Sequence, residues 1–346
     1  MLGKESTQRR VARLLQSAAK YLETVDPNPV IGDVVASSLE NEREDNGSGG
    51  GVTPHFAENA PGSLSLLLKP GGKGATLRDS VDTSILAGRR VVRDHLGRSA
   101  LAWLDARLEP VTARDYRADN SGGVFGSSFD RYGVAESVVG FDFTDRLWDA
   151  LAPALGRIAQ VVRNIMPGLR PTSTMVRCGR SAGSQQITFE VEQPLSLADL
   201  RPLMTELGIG QQHGSLMSAT AFLLGARFTL PSHSARLTFR PVRGGVEMRL
   251  DVLLEAIEDP PPQMLSLLRL LMTERPRSLR TLERWLGAFT PDGIPHAGDF
   301  TVLSVWVRPD VPARVALFLR PSVLQRADAR DGASGGVELS PWDATA

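Results

Sequence analysis

Arginines recur at alternate positions of segments that have the pattern of β-strands. In 235–241, Arg236 and Arg240 share one set of alternate positions with Thr238, and Leu237 and Phe239 occupy the other set. A strand places alternate side chains on opposite faces, so this spacing puts both guanidiniums on one face. A guanidinium stays ionised when partly buried and pairs bidentately with phosphate oxygens. Several of them on one face would bind a multiply charged anion such as a diphosphate.

The candidate diphosphate ligands are arginines on predicted strands. They are Arg78, Arg177, Arg236, Arg240, Arg249 and Arg308, with Arg320 on the last predicted strand. An alternative is that several of them form structural ion pairs with Asp82, Glu190, Glu247 and Asp251, or point outward at strand ends. Freely converging arginines would favour catalysis. Neutralised arginines would favour a barrel that only binds a ligand.

The elements that would position these arginines are five strand pairs separated by amphipathic helices. The predicted pairs are 63–70 with 75–83, two strands within 124–143, 172–180 with 184–192, 235–241 with 246–256, and 299–309 with 313–321. The predicted helices are 4–24, 85–107, 144–166, 196–207, 213–225, 261–274 and 277–289. Hairpin connections make neighbouring strands antiparallel, and ten such strands are enough to close a barrel with an internal cavity.

The helices must cover the apolar face of the sheet, so the polar strand face points into the lumen. The predicted fold class is therefore α+β, a single ten-stranded antiparallel β-barrel with a polar lumen surrounded by helices. We expect an N-terminal helix and a mobile Gly-rich loop in 1–60, the barrel in 61–324 and a flexible tail in 325–346.

Composition narrows the classes of function. The 346 residues carry 39 basic and 39 acidic side chains, whereas nucleic-acid and membrane-surface binding usually need excess positive charge. The basic set is 35 Arg and 4 Lys, a bias typical of a G+C-rich genome, and we expect a bacterial source. The single cysteine, Cys178, excludes a disulfide within the chain. We expect a cytoplasmic monomer or weak dimer with no nucleic-acid or membrane partner.

Two short motifs have simpler explanations. Gly179–Gly183 matches the G-x-S-x-G nucleophile elbow, but that motif needs a helix after it, and a strand pattern follows here. Gly71–Gly74 contains a lysine between glycines but lacks the spacing of a P-loop. Both segments are predicted to be turns. The five histidines are scattered, and each is interpreted as a surface or packing residue.

Two segments carry a family resemblance. PGSLSLLLKPGGKGATLRDSVD resembles the first strand pair of the ABBA-type aromatic prenyltransferases, relatives of dimethylallyltryptophan synthase, in which a second-strand arginine binds the prenyl diphosphate. Arg78 stands at that position. VWVRPDVPARVALFLRP resembles the family's last hairpin. The resemblance covers about 60–321 in architecture and is specific in these two segments. Ser63 stands nearest the position of a first-strand glutamate of fungal members, and Phe318 replaces a last-strand tyrosine.

The resemblance implies an enzyme that moves an allyl group from a prenyl diphosphate to an indole, phenol or peptide acceptor of secondary metabolism, with no cofactor and no metal. It implies that the arginines hold the diphosphate, that Trp306 and Phe318 shield the allyl cation, and that a carboxylate removes the proton, with Glu190 and Glu247 as candidates. The alternatives are a degenerate barrel that binds a small hydrophobic or phosphorylated ligand, or one that catalyses a different reaction.

Overall fold

Ten strands form a closed antiparallel barrel in the computed structural model, which describes residues 6–42, 51–60, 62–71, 76–112, 122–290, 296–322 and 324. The described part of the chain has twelve strands, of which all but β7 and β8 belong to the barrel: β1 (Val52–Ala57), β2 (Leu64–Leu68), β3 (Gly123–Asp130), β4 (Gly133–Asp142), β5 (Leu169–Gly179), β6 (Gly183–Val191), β7 (Leu195–Ser196), β8 (Thr229–Leu230), β9 (Ala235–Val242), β10 (Gly245–Leu253), β11 (Gly298–Arg308) and β12 (Val311–Pro321). β7 and β8 form a separate two-stranded sheet. The predicted α+β barrel is thus confirmed.

The order around the barrel is β1-β12-β11-β10-β9-β6-β5-β4-β3-β2, and the pairing of β1 with β12 closes it. Tight hairpins join β3 to β4, β5 to β6, β9 to β10 and β11 to β12 at one end, called here the hairpin end. The helical connections leave from the other end, called here the connection end. Gly179–Gly183 forms the β5–β6 turn, as its sequence predicted.

Helices surround the barrel and bury its outer face. They are α1 (Thr7–Leu22), α2 (Asn28–Glu42), α3 (Leu77–His95), α4 (Arg98–Thr112), α5 (Pro153–Ile165), α6 (Leu200–Glu206), α7 (His213–Leu223), α8 (Met264–Leu271) and α9 (Pro276–Ala288). Leu237 and Phe239 of β9 and Leu250 of β10 are fully buried in the core between strands and helices. No helix in the described part of the chain has the length and apolarity needed to cross a membrane.

The first strand pair is the main correction to the prediction. It consists of β1 and β2, whereas the described part of the predicted strand 75–83 is the N-cap and beginning of helix α3. Thr76 caps that helix: its hydroxyl accepts from the Asp79 N–H, and the Asp79 carboxylate accepts from the Thr76 N–H. This capping box fixes a helix start. The apolar residues of 75–83 fit helical spacing as well as strand spacing.

Strand β1 lies in a segment that was predicted to be a loop within 1–60. Pro54 and the glycines before the strand are typical of loops, because proline lacks the N–H that a strand ladder uses. Residues 43–50 and the expected tail, 325–346, lie outside the described residues. The barrel prediction was also wrong in combining α3 and α4 into one helix. Gly97, with a φ of +92°, separates the two.

Candidate functional site

A cavity of about 530 Å³ opens at the connection end of the lumen. Its apolar lining residues include Leu67, Val124, Met175, Val302 and Phe318. Polar and charged side chains lie among them. A cavity with a largely apolar wall and a few charged groups is the usual form of a small-molecule site.

Four cations and two carboxylates of the described residues line the cavity: Lys69, Arg236, Arg249, Arg320, Asp251 and Glu255. Glu255 is 2.6 Å from Nη2 of Arg320. For Arg236 and Lys69, both exposed to solvent, the described residues provide no salt bridge. The cavity lining therefore has excess positive charge, and two of its cations have no salt-bridge partner among the described residues.

Asp251 holds Arg249 in place. Nε of Arg249 lies 2.9 Å from Oδ1 of Asp251, whose carboxylate also accepts from the Ser304 hydroxyl on β11 and from Thr238 at 3.4 Å. Thr238 in turn shares a 2.9 Å hydrogen bond with Thr188 of β6. Four neighbouring strands thus fix one guanidinium. Because only Nε contacts Asp251, the Nη groups of Arg249 remain available toward the cavity.

A smaller chamber of about 40 Å³ continues the lumen below the main cavity. It shares Phe318 and Arg249 with that cavity and adds His55 from β1. The rings of His55 and Phe318 stack with centroids 5.0 Å apart and planes inclined by 18°. Nδ1 of His55 is buried and has no hydrogen-bond partner among the described residues. Burial, with Arg177 and Arg249 nearby, lowers the pKa of His55 to about 3, so the ring is neutral at pH 7.

Arg177 also borders the small chamber, where Glu136 of β4 neutralises it. Its Nε donates to Oε1 of Glu136 at 3.1 Å, and Nη2 contacts the other carboxylate oxygen. Nη1 lies 3.5 Å from Oε1 of Gln186. This guanidinium is structural in its present pairing, as the alternative interpretation of the arginines expected.

Glu247 closes the hairpin end of the lumen between two arginines. It accepts from Nη2 of Arg240 at 2.8 Å and from Nε of Arg308 at 2.7 Å. Burial raises the pKa of Glu247, but the two guanidiniums outweigh burial and the pKa lies below its ordinary value. The Arg308 guanidinium also lies 4.9 Å from the centre of the Trp306 ring. Neither Glu247 nor Trp306 lines the cavity.

Glu190 lies near the connection end but outside the cavity wall. Oε2 accepts from Nη2 of Arg170 at 2.8 Å, and Oε1 lies 3.2 Å from Nδ1 of His233. The hydrogen bond from Arg170 is the main reason that the pKa of Glu190 lies below its ordinary value. Glu190 and Glu247 are both paired with arginines and lie outside the cavity wall, so neither is placed to accept a proton from a molecule in the cavity.

Arg78 is the predicted site residue whose position in the structure differs most from the prediction. It lies in the first turn of α3, half-exposed, with Nε 4.0 Å from Asp82 of the same helix. Its placement on a luminal strand was wrong because residues 77–83 are helical.

The structure brings together four of the predicted site residues on the main cavity: Arg236, Arg249, Arg320 and Phe318. Arg177 reaches only the small chamber, and Arg240, Arg308 and Trp306 belong to the closed hairpin end. Sequence reasoning did not assign Lys69, His55 or Asp251 to the site, although Asp251 shares the strand face of Arg249. Among the described residues, no three His, Cys, Asp or Glu side chains form a metal-binding group.

Sequence comparisons give no match, either to a protein-family model or to a curated protein. Structural comparison gives matches over most of the chain. A 6-dimethylallyltryptophan synthase from Micromonospora olivasterospora, in complex with DMASPP and Trp, has a TM-score of 0.71 and 13% identity, covering 92% of this chain and 98% of that one. A 5-dimethylallyl tryptophan synthase from Streptomyces coelicolor, in complex with DMASPP and Trp, has a TM-score of 0.65 and 15% identity, covering 97% of this chain and 99% of that one.

A third match is the prenyltransferase PriB in a ternary complex with L-tryptophan and dimethylallyl thiolodiphosphate. Its TM-score is 0.64 at 16% identity, with 92% of this chain and 97% of that one covered. At these identities the likeness concerns backbone architecture, and it extends over nearly the full length of both chains. The chain therefore has the barrel fold of the aromatic prenyltransferases.

Proposed function

We propose that the protein transfers a prenyl group from a prenyl diphosphate to an aromatic acceptor. The observation that carries this proposal is the lining of the main cavity: within a barrel of this fold, four cations and two carboxylates lie among apolar side chains. The excess of cations suits a diphosphate, and the apolar side chains suit an isoprenoid chain.

Arg236, Lys69 and the Nη groups of Arg249 would hold the diphosphate and stabilise the charge that develops as the C–O bond breaks. Phe318 lines the same cavity and presents a ring that would stabilise the allyl cation. The acceptor ring then attacks the cation, forms a C–C bond and loses a proton. The names of the structural neighbours mention tryptophan, which supports starting the acceptor panel with tryptophan, followed by phenols and aromatic peptides.

The first experiment is incubation with dimethylallyl and geranyl diphosphates and this acceptor panel, followed by mass spectrometry. We expect a product heavier than the acceptor by one prenyl group. Calorimetry with the same diphosphates measures binding independently of turnover. The absence of both product and diphosphate binding would exclude the proposal.

The second candidate function is binding without transfer. Its support is that carboxylates already neutralise Arg177, Arg240 and Arg308, which leaves fewer free guanidiniums than the sequence suggests. Tight binding of a prenyl diphosphate with no product from any acceptor would favour this function.

A variant at Arg236 tests the assignment of the cavity wall. We expect Arg236→Ala to weaken diphosphate binding by about 1.5 kcal/mol, or about ten-fold in Kd, because it removes a charged hydrogen-bond donor with no internal partner. Arg236→Lys should recover part of the loss. Arg78→Ala is the matched control, because Arg78 lies on an exposed helix turn, and its affinity should equal that of the wild type. An effect of Arg78→Ala with none at Arg236 would contradict the assignment.

A further inference from the structure

The proposed transfer requires a group that removes a proton from the acceptor, and the carboxylates near the lumen are poorly suited to this step. Glu190 and Glu247 are engaged by arginines and lie outside the cavity wall. Asp251 does line the cavity, but it accepts from Arg249, Ser304 and Thr238 together. Protonation of any of the three would break the pairs that hold neighbouring guanidiniums.

His55 differs from them in having no partner. It lies on β1 and lines the small chamber beside Phe318 and Arg249, which also line the main cavity, and the described residues provide no hydrogen bond to its buried Nδ1. A buried polar atom usually has a hydrogen-bond partner, so a buried, unpaired nitrogen beside a cavity indicates that its partner is a bound molecule. A bound molecule would supply the missing contact.

The ring stack defines what kind of molecule fits beside His55. Phe318 is nearly parallel to the imidazole and also lines the main cavity. A planar aromatic acceptor in the cavity would lie next to this pair, where the apolar residues Leu67 and Met175 line both cavities. The stack would thus guide an acceptor ring to the only neutral nitrogen base on the described part of the lumen wall.

The electrostatic surroundings keep that base available. Two guanidiniums face His55, Arg177 from β5 and Arg249 from β10, and both favour the neutral imidazole. Glu136 is already paired with Arg177. A diphosphate bound at Arg249 would offset one of the two positive charges. The proton affinity of His55 would therefore rise when the leaving group is bound, which is when a proton must be accepted.

We propose that His55 is the catalytic base of the transfer. The allyl C–O bond breaks and its electron pair leaves with the diphosphate. A ring π-pair of the acceptor forms the new C–C bond. The C–H bond at the same ring carbon then breaks, its electron pair restores the aromatic ring, and the proton goes to the unprotonated nitrogen of His55. This role rests on the proposed function, and it uses no other reactant.

The test uses His55→Phe, which keeps a ring for the stack on Phe318 and removes the nitrogen lone pair. Acceptor prenylation, hydrolysis of the prenyl diphosphate without acceptor, and the isotope effect with a ring-deuterated acceptor are measured on the full chain. We expect prenylation to fall by about a hundred-fold or more, the usual contribution of a positioned base. Hydrolysis should persist, because ionisation does not need the base. A normal deuterium isotope effect should appear, because proton loss becomes slow.

The control is His95→Gln, a substitution of an exposed histidine in the last turn of α3, which should behave as wild type. If His55→Phe prenylates as fast as the wild type, the base assignment is wrong and the proposed function stands. Equal loss of prenylation and hydrolysis without an isotope effect would assign His55 a structural role and overturn the inference. A wild type that neither prenylates nor hydrolyses would overturn the proposed function together with this inference.

Discussion

Pairing geometry, rather than charge alone, decides what each arginine of the lumen can do. A guanidinium has five N–H donors in a fixed plane. Arg240 directs Nε and Nη2 at Glu247, whereas Arg249 directs only Nε at Asp251. The first arginine seals the hairpin end and the second keeps donors for a ligand. The strand period in the sequence predicts the face on which both lie, but it does not reveal this difference, which depends on cross-strand partners.

The buried imidazole of His55 predicts a dependence of stability on pH. Its pKa is about 3 in the folded protein, against an ordinary value near 6.5. Between those values the unfolded chain binds a proton that the folded protein does not. Stability should therefore decrease as pH falls below about 6.5, by up to about 1.4 kcal/mol per pH unit. Urea unfolding of wild type and His55→Phe at about pH 7 and about pH 5 measures this difference.

The variant lacks the titrating group, so its free energy of unfolding should fall less over that interval. Carboxylates with lowered pKa values, such as Glu247, contribute only at more acidic pH, because their stabilisation is complete above their unfolded pKa. Parallel pH profiles for the two proteins would contradict the assignment of a buried, neutral His55.

At the scale of elements, helix α3 shows how local chemistry can override a period-two pattern. Thr76 and Asp79 form a reciprocal cap, and helix α3 begins at Leu77 immediately after Thr76. Four of the five predicted strand pairs are present because each has clear alternation around a tight turn. The first pair failed because Pro54 concealed β1 and because 75–83 satisfies both periods. As a result, Arg78 was assigned to the wrong surface.

The cap gives a test of this element. We expect Thr76→Ala to destabilise the protein by about 1 kcal/mol, because the Asp79 N–H loses its acceptor at the helix start. Chemical unfolding measures the loss, and amide exchange locates it in the first turn of α3. Arg78→Ala in the same turn removes only an exposed ion pair and should cause no measurable change. Equal losses in both variants would argue against a capping role.

At the scale of the whole molecule, the formal net charge is zero, but the charged side chains in the lumen are unevenly distributed between its two ends. The hairpin end of the lumen is closed by compensated pairs, whereas the connection end has four cations and two carboxylates on its described wall. The sequence predicted a polar lumen and a barrel. Which end is open could not be predicted, because it depends on pairs between residues from different strands, such as Glu136 with Arg177.

Barrel closure is also testable. Glu58, whose side chain is fully buried after β1, accepts from Nη1 of Arg275 at 2.9 Å and from the Val315 N–H of β12 at 2.8 Å. We expect Glu58→Gln to cost about 3 kcal/mol, because it leaves a partly buried guanidinium without its counter-charge. Denaturant unfolding measures the cost. Glu255→Gln, in an exposed pair with Arg320, should cost less than about 1 kcal/mol. Similar values for both would contradict a special role of Glu58 in closure.

The pairing of β1 with β12 also constrains how the protein folds. Glu58 and Val315 are 257 residues apart along the chain, yet they exchange hydrogen bonds across the closing seam. A contact between residues so far apart in sequence requires a loss of chain entropy before its hydrogen bonds can form, and such contacts slow folding. His55 and Phe318 meet at this same seam. The stacked pair that we place beside the acceptor therefore forms only when the first and last strands of the barrel have come together.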